Sequence, residues 1–539
     1  MKRKQLDGTP WAAASTLIVT IMVLPLLGVL SSFFTPATKA WTHIRDHLLV
    51  TYIRDSLLLV VTSVGAGVIL ASALAWFVTA YNFRGRRFVA AALVLPLAIP
   101  PYIGGYTYTA MLSYTGAIQV FLRNHLGWAP PAGFFDIQNH IGAAFIFTIF
   151  LFPYIYLVVR AFLDRQAGQL IEASTMLGAN PLRTYWHVVA PLTRNAVIAG
   201  ATLMAFEVLS DYGLVSYFGL NVFTTAVFTS WLGYRDLTSA LRLAAILLLF
   251  VTFLSAGEKA LRGSRSHSYS SSSVIPLHRK QLRGLHKVGV LLLCWGVLAL
   301  GLFIPMAQMI YWAVLSIPLI RLDGLFHDFL TSFTLAFAGA LITTVCALLV
   351  SQYQRVWPSW FSRLLARLTV MGYSVPSTVI ALSILTIAVW VSQASGWNPL
   401  SGPAIVVLAY TIRYLAASMQ SVESGLERIG MRFHESSRLL GRGPFVTTLR
   451  IDIPMIHTAI IGGFLLAFID MVKELPLVLI LRPFNLSTLS TRVFEYAYDE
   501  KIPESSLASL LIVFLSMIPI VVVMIIQSRQ TRMGAFQYE

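Results

Sequence analysis

One twenty-residue stretch occurs twice in the chain, and that duplication narrows the possible folds more than any other feature. Residues 172–191, EASTMLGANPLRTYWHVVAP, are echoed 263 positions later by residues 435–454, ESSRLLGRGPFVTTLRIDIP. Aligned without a gap, the copies share Glu172 with Glu435, Ser174 with Ser437, Leu177 with Leu440 and Gly178 with Gly441. They also share Pro181 with Pro444, Thr184 with Thr447 and Pro191 with Pro454. Internal repetition at one fixed offset implies two homologous halves.

Each copy reads as helix, turn, helix. Gly178 and Gly441 can adopt the left-handed conformation that ends a helix. Asn180 before Pro181, and Gly443 before Pro444, give an N-cap followed by a proline at the first helical position. Pro191 and Pro454 are expected to break or kink the second helix where the next apolar run begins.

Those apolar runs decide the solvent. Hydrophobic residues make up 57% of the chain, charged ones 12%, and the mean hydropathy is +0.74. Stretches of about twenty apolar residues recur throughout, as transmembrane helices require. The net charge of +16 does not point to nucleic acid, because the basic residues sit in short loops between apolar runs. Cys294 and Cys346 both fall within such runs, so neither a disulfide framework nor a metal-ligand spacing exists. The N-terminal MKRK precedes an apolar run, 11–33, that is too long for a signal segment and reads as a retained span.

The reading is therefore an all-α integral membrane protein of about twelve spans in two six-helix halves. In the first half, 1–257, the spans lie near 11–33, 57–80, 88–112, 141–163, 195–217 and 239–257. In the second half, 288–539, they lie near 288–313, 330–350, 365–391, 403–421, 458–481 and 506–527. A Ser-rich, basic connector, 258–287, joins them. With the N-terminus inside, cytoplasmic segments carry 26 Lys and Arg against 9 outside. By the positive-inside rule both termini and both repeated elbows face the cytoplasm.

The repeat runs on into the fifth span of each half, pairing Glu207 with Asp470 and Asp211 with Glu474. Spacing of i and i+4 places each half's two acids on one helix face. Glu207 lies about 18 Å into a hydrocarbon core about 30 Å thick. Carboxylates at that depth belong against a bundle interior or wet cavity, and four related by a pseudo-twofold axis could ring a translocation path. The alternative is that they cap helix breaks, with Lys473 neutralising a neighbour. Pro100, Pro101 and Pro376 break the third span of each half, which is tolerated where backbone lines a cavity. Pro100, Tyr102 and Pro376 are candidates to line the path; Tyr102, Tyr106 and Tyr108 could bind a hard cation, but interfacial aromatics are the commoner use of such residues. Glu495, Asp499, Glu500 and Glu504 form an acidic rim that reads as a solvated loop.

Glu172, Ala173, Gly178, Pro181 and Pro191, with Glu435, Gly441, Pro444 and Pro454, resemble the EAA loop of ABC-type importer permeases. Ser436 and Ser437 stand where that family favours two alanines. SDYGLVSYFG (210–219), FTTAVFTSWLG (223–233) and KELPLVLILRPFNLSTL (473–489) resemble the fused permease of ferric-iron importers, near relatives of thiamine, phosphonate and polyamine permeases. The resemblance implies the type I importer permease fold in a bacterial inner membrane. It further implies elbows that dock a separate ATPase, two copies of that ATPase, and an external binding protein that delivers substrate.

Enzyme chemistry finds no foothold. The chain lacks the phosphate-cradling GxxxxGK[ST] and contains no HExxH, CxxC or GxSxG, so no catalytic, metal or cofactor site is expected and ATP belongs to the partner. A secondary transporter of the major facilitator kind would also have twelve spans and a central linker. It would not need a repeat in the loops after spans four and ten.

Overall fold

Hydrocarbon offers no hydrogen bonds, so a chain this apolar must satisfy its backbone polar groups within each segment, and helices do so. The computed structural model is accordingly helical almost throughout. It describes residues 2–131, 133–166, 168–262, 279–282, 284–372 and 375–536. Most of the connector, 263–278, lies outside the described residues. Among the described residues ten helices are long and apolar enough to cross a bilayer. Two further helix pairs, bent by 90° and 78°, bring the number to as many as twelve if each pair is one span.

We label these α1 Thr9–Phe34, α2 Lys39–Ala80, α3 Pro101–Leu112, α4 His140–Asp164, α5 Ala190–Ser210 and α6 Leu237–Arg262. The second half contributes α7 Gly284–Ser316, α8 Leu322–Val356, α9 Ser377–Ser395, α10 Ala404–Ile429, α11 His457–Lys473 and α12 Ile502–Phe536. The end of the connector is pinned to the end of α2 by a two-residue parallel pairing, β1 Tyr81–Asn82 with β2 Lys280–Gln281.

Helices α2, α4 and α5 pack on one another, and α8, α10 and α11 repeat the arrangement. Small residues permit it. A Cβ on Gly200 would fall 2.6 Å from Ile155 Cα, and one on Gly463 would fall 3.2 Å from Ser418 Cα. Both partners obey the 263 offset, so the same close helix crossing is built twice. The first helix of each half crosses over: α1 packs against α8 and α9, and α7 against α3. Phe326, Phe333, Phe337 and Leu341 stand exposed along α8, as a lipid-facing flank requires.

Four expected spans change shape. The third breaks between Ala98 and Pro101 with a 90° bend, because Pro100 and Pro101 withdraw two backbone donors. The ninth divides into a separate helix, Trp360–Met371, and α9, which starts after Pro376. The fifth and eleventh end early, at Ser210 and Lys473, and short helices Gly213–Tyr217 and Pro476–Leu481 follow.

Candidate functional site: paired elbows and a central cavity

The elbows are structural copies down to single residues. Helices Gly168–Met176 and Arg432–Leu439 end before glycines with φ of +80° at Gly178 and +82° at Gly441. Helices Pro181–Thr184 and Pro444–Thr447 follow, then π-helical turns Tyr185–Val189 and Thr448–Asp452 in the same register. Asn180 Oδ1 caps its helix by accepting from Arg183 N at 2.7 Å. Gly443 caps with extended backbone instead.

The departure from alanine now has a reason. Ser174 Oγ lies 3.0 Å from Thr184 Oγ1, and Ser437 Oγ 2.9 Å from Thr447 Oγ1. The serine at the second alanine position ties the two arms together, whereas Ala173 and Ser436 point to the exterior. Glu172 is half-buried and Glu435 exposed. The kink expected at both prolines occurs once: Pro191 sits in the first turn of a continuous α5, while Pro454 precedes the 78° bend into α11.

Each elbow presents a bare apolar face. Met176, Leu177, Leu182 and Trp186 are exposed, and so are Leu439, Leu440, Phe445 and Leu449, each at the 263 offset. Leu177 is 88% and Leu440 84% exposed. Met176, Leu177, Leu439 and Leu440 lie outside every candidate span. Exposed apolar groups thus recur at equivalent positions of the two elbows.

Beneath that face the copies differ. In the second elbow, Asp452 Oδ2 receives hydrogen bonds from Gln352 Nε2 at 2.6 Å and pairs with His434 Nδ1 at 2.7 Å, while Oδ1 faces Arg355 at 3.2 Å. Asp452 and His434 are buried. The same places in the first elbow hold Val189 and Ile171, also buried, with Trp76 against Tyr185. Sequence reasoning missed this network, because its members lie up to 100 residues apart on elements that meet only on folding.

The four acids do gather, but in two roles. Helix α5 ends at Ser210 and α11 at Lys473, and Asp211 and Glu474 follow in extended backbone. Only Glu207 and Asp470 are therefore on the helices, which corrects the expectation of both acids on one helix face. Asp211 Oδ1 accepts from Leu214 N at 2.8 Å and Glu474 Oε1 from Leu477 N at 3.2 Å. Each thus caps the next short helix. Tyr414 donates a further hydrogen bond to Glu474.

A cavity of about 80 Å³ lies between the halves, and all four acids line it with Pro100, Tyr102, Ser210, Ser377, Arg413, Tyr414 and Lys473. That volume admits several waters, since one needs about 10–15 Å³. Lys473 Nζ lies 3.1 Å from Asp470 Oδ1 and 3.4 Å from Leu97 O. Arg413 donates to Val375 O, and to Ser210 Oγ at 3.2 Å. Its place on the wall was missed, although an arginine inside a span is itself the signal. Pro376 is buried at the head of α9 and does not line the cavity; its neighbour Ser377 does. Tyr106 and Tyr108 are buried and donate to Gly213 O and Leu300 O, which corrects the interfacial reading. The Tyr102 hydroxyl has no hydrogen-bond partner among the described residues. Among those residues no group of three or more His, Cys, Asp or Glu could hold a metal ion. All four acids thus share one small cavity with two basic side chains.

Comparison with known proteins agrees with the duplication. Residues 63–262 and 339–532 each match a family described as binding-protein-dependent transport system inner membrane component. The Fe(3+)-transport system permease protein of Haemophilus influenzae is 28% identical over 86% of this chain and 87% of its own length. A putative ferric transport system permease protein of the same organism is 22% identical over 74% of this chain and 64% of its own. The sulfate transport system permease protein of Salmonella typhimurium is 26% identical over 41% of this chain and 78% of its own.

Proposed function

The chain belongs to the family of binding-protein-dependent transport system inner membrane components, and from that premise we propose that it carries ferric iron across a bacterial inner membrane as a fused permease. An external binding protein delivers the cargo, and a pair of ATPase subunits drives it by docking on the two elbows from the cytoplasm, where both termini also lie. The chain itself binds no cofactor. The observation that carries the coupling role is the apolar face repeated at Met176, Leu177, Leu439 and Leu440. The cargo rests on a cavity in which acids outnumber bases, with Glu207, Asp211, Asp470 and Glu474 against Arg413 and Lys473. A surplus of carboxylate lowers the barrier for a cation in a low-dielectric passage, and oxygen ligands suit hard ions. Relatives that carry the sulfate name make an oxyanion the second reading, and the two basic side chains in the cavity favour it over thiamine or a polyamine.

The test is uptake by proteoliposomes holding this chain, its ATPase and its binding protein. Ferric iron is compared with sulfate, thiamine, a phosphonate and a polyamine. ATP-dependent uptake of ferric iron is the expected result, and uptake of sulfate alone would overturn the cation assignment.

A further inference from the structure

The cavity is symmetric in its acids and asymmetric in its bases. The 263 offset relates Glu207 to Asp470 and Asp211 to Glu474, but it places Phe150 opposite Arg413 and Ser210 opposite Lys473. Phe150 is fully buried and Ser210 buried. The first half therefore builds the same helix end and the same capped turn without either base. Neither base has a counterpart at the equivalent position of the first half. Something other than helix architecture accounts for a lysine at 473.

Its contacts say what. The Lys473 ammonium sits 3.1 Å from Asp470 Oδ1, and 3.4 Å from the carbonyl of Leu97. Leu97 belongs to the other half, in the 3-10 turn Leu95–Ala98 just before the Pro100 break. A carboxylate with a backbone carbonyl opposite is how an oxygen-lined passage would hold a passing cation. The position is taken by a cation the protein already owns.

We propose that the Lys473 ammonium is a tethered countercharge that occupies the cation position beside Asp470 while the pathway is closed, and that the cargo must displace it. The inference rests on the proposed cation pathway. A monovalent ion offers Asp470 no more charge than the tethered ammonium does, so it gains nothing by exchange. A cation of higher charge does gain, since the attraction scales with the product of the charges. Lys473 thereby sets selectivity by charge as well as sealing the two halves at Leu97.

The test is rubidium efflux from proteoliposomes holding the full chain alone, with no ATP, iron or partner protein. Wild-type vesicles should hold rubidium. Lys473→Met should leak at least about tenfold faster, because Asp470 is left uncompensated beside an open position. Lys473→Arg keeps the charge and should stay tight. Lys473→Met combined with Asp470→Asn should return to within about twofold of wild type, because the attraction is gone. A tight Lys473→Met, or a leaking Lys473→Arg, overturns the proposal. So does a double variant that leaks like Lys473→Met, since that pattern means loosened packing. If wild-type complexes prove to import another cargo, the proposed function falls, while the order of rubidium efflux still decides this inference.

Discussion

Ser437 Oγ lies 2.9 Å from Thr447 Oγ1, a buried tie that closes the second elbow across the left-handed turn at Gly441. Ser174 and Thr184 close the first elbow in the same way. The tie holds two arms so that their apolar side chains face outward together. The shape of the proposed docking face therefore depends on the turn between the arms.

Gly178→Val and Gly441→Val test that turn. No atom lies within 4 Å of a Cβ at either position, so the whole effect is backbone strain, about 1–2 kcal/mol or more for a β-branched residue at positive φ. Co-purification of the ATPase should fall while membrane insertion persists, and asparagine at the same places should be milder. Undiminished ATPase association in both valine variants would refute the role of the elbows.

The face itself is tested by Leu177→Ser with Leu440→Ser. Both side chains are exposed, so the chain alone should melt within about 1–2 °C of wild type. Affinity for the ATPase should drop at least about tenfold, as loss of central apolar contacts does at interfaces. Unchanged affinity, measured by titration in nanodiscs, would place docking elsewhere.

Glu207→Gln with Asp470→Asn should abolish import more than it weakens assembly with the ATPase, because these acids face the cavity and cap no helix. Glu495→Gln with Asp499→Asn, at exposed positions paired with Arg482 and Lys501, should change import little. Wild-type uptake by the first double variant would remove the carboxylates from the pathway.

The buried network under the second elbow gives a stability prediction. Asp452→Val alone strands His434 and Arg355, and should cost about 3–5 kcal/mol. Asp452→Val with His434→Ile copies the apolar pair Val189 and Ile171 of the first elbow. It should recover at least about half of that loss, since an apolar pair can replace a buried ionic one. Thermal unfolding in detergent measures both, and a double variant as unstable as the single one counts against the comparison.

Topology is open to direct measurement. A reporter fused in the connector after Arg262 should read cytoplasmic, and one at Glu500 external, as the asymmetry of 26 basic residues to 9 requires. Either reporter on the opposite side would invert the span assignment.

The elbows were legible because they are local. Gly178 and Gly441 at positive φ, the prolines heading each second helix, and the paired copies all follow from neighbours a few residues away, where backbone preference rules. Twelve spans were legible for the same kind of reason, since hydropathy over twenty residues needs no knowledge of partners. The boundaries near 210 and 473 were not. A helix ends there because Asp211 and Glu474 find the amides of the next short helices, and the sequence shows acids without showing what they cap.

By itself the sequence determined the solvent, the two-fold repeat, the elbows and the residues that could carry charge into the membrane. Only the tertiary structure decided how those charges are used. It set all four acids on one cavity wall but made only Asp211 and Glu474 helix caps as well, brought Lys473 to Asp470 and Leu97, and set Arg413 against Ser210. It also gave the second elbow an ionic core where the first is apolar. The physical reason is range: helix formation and hydropathy are set by adjacent residues, whereas the partner of a buried charge is whichever group the packed helices bring within about 3–4 Å.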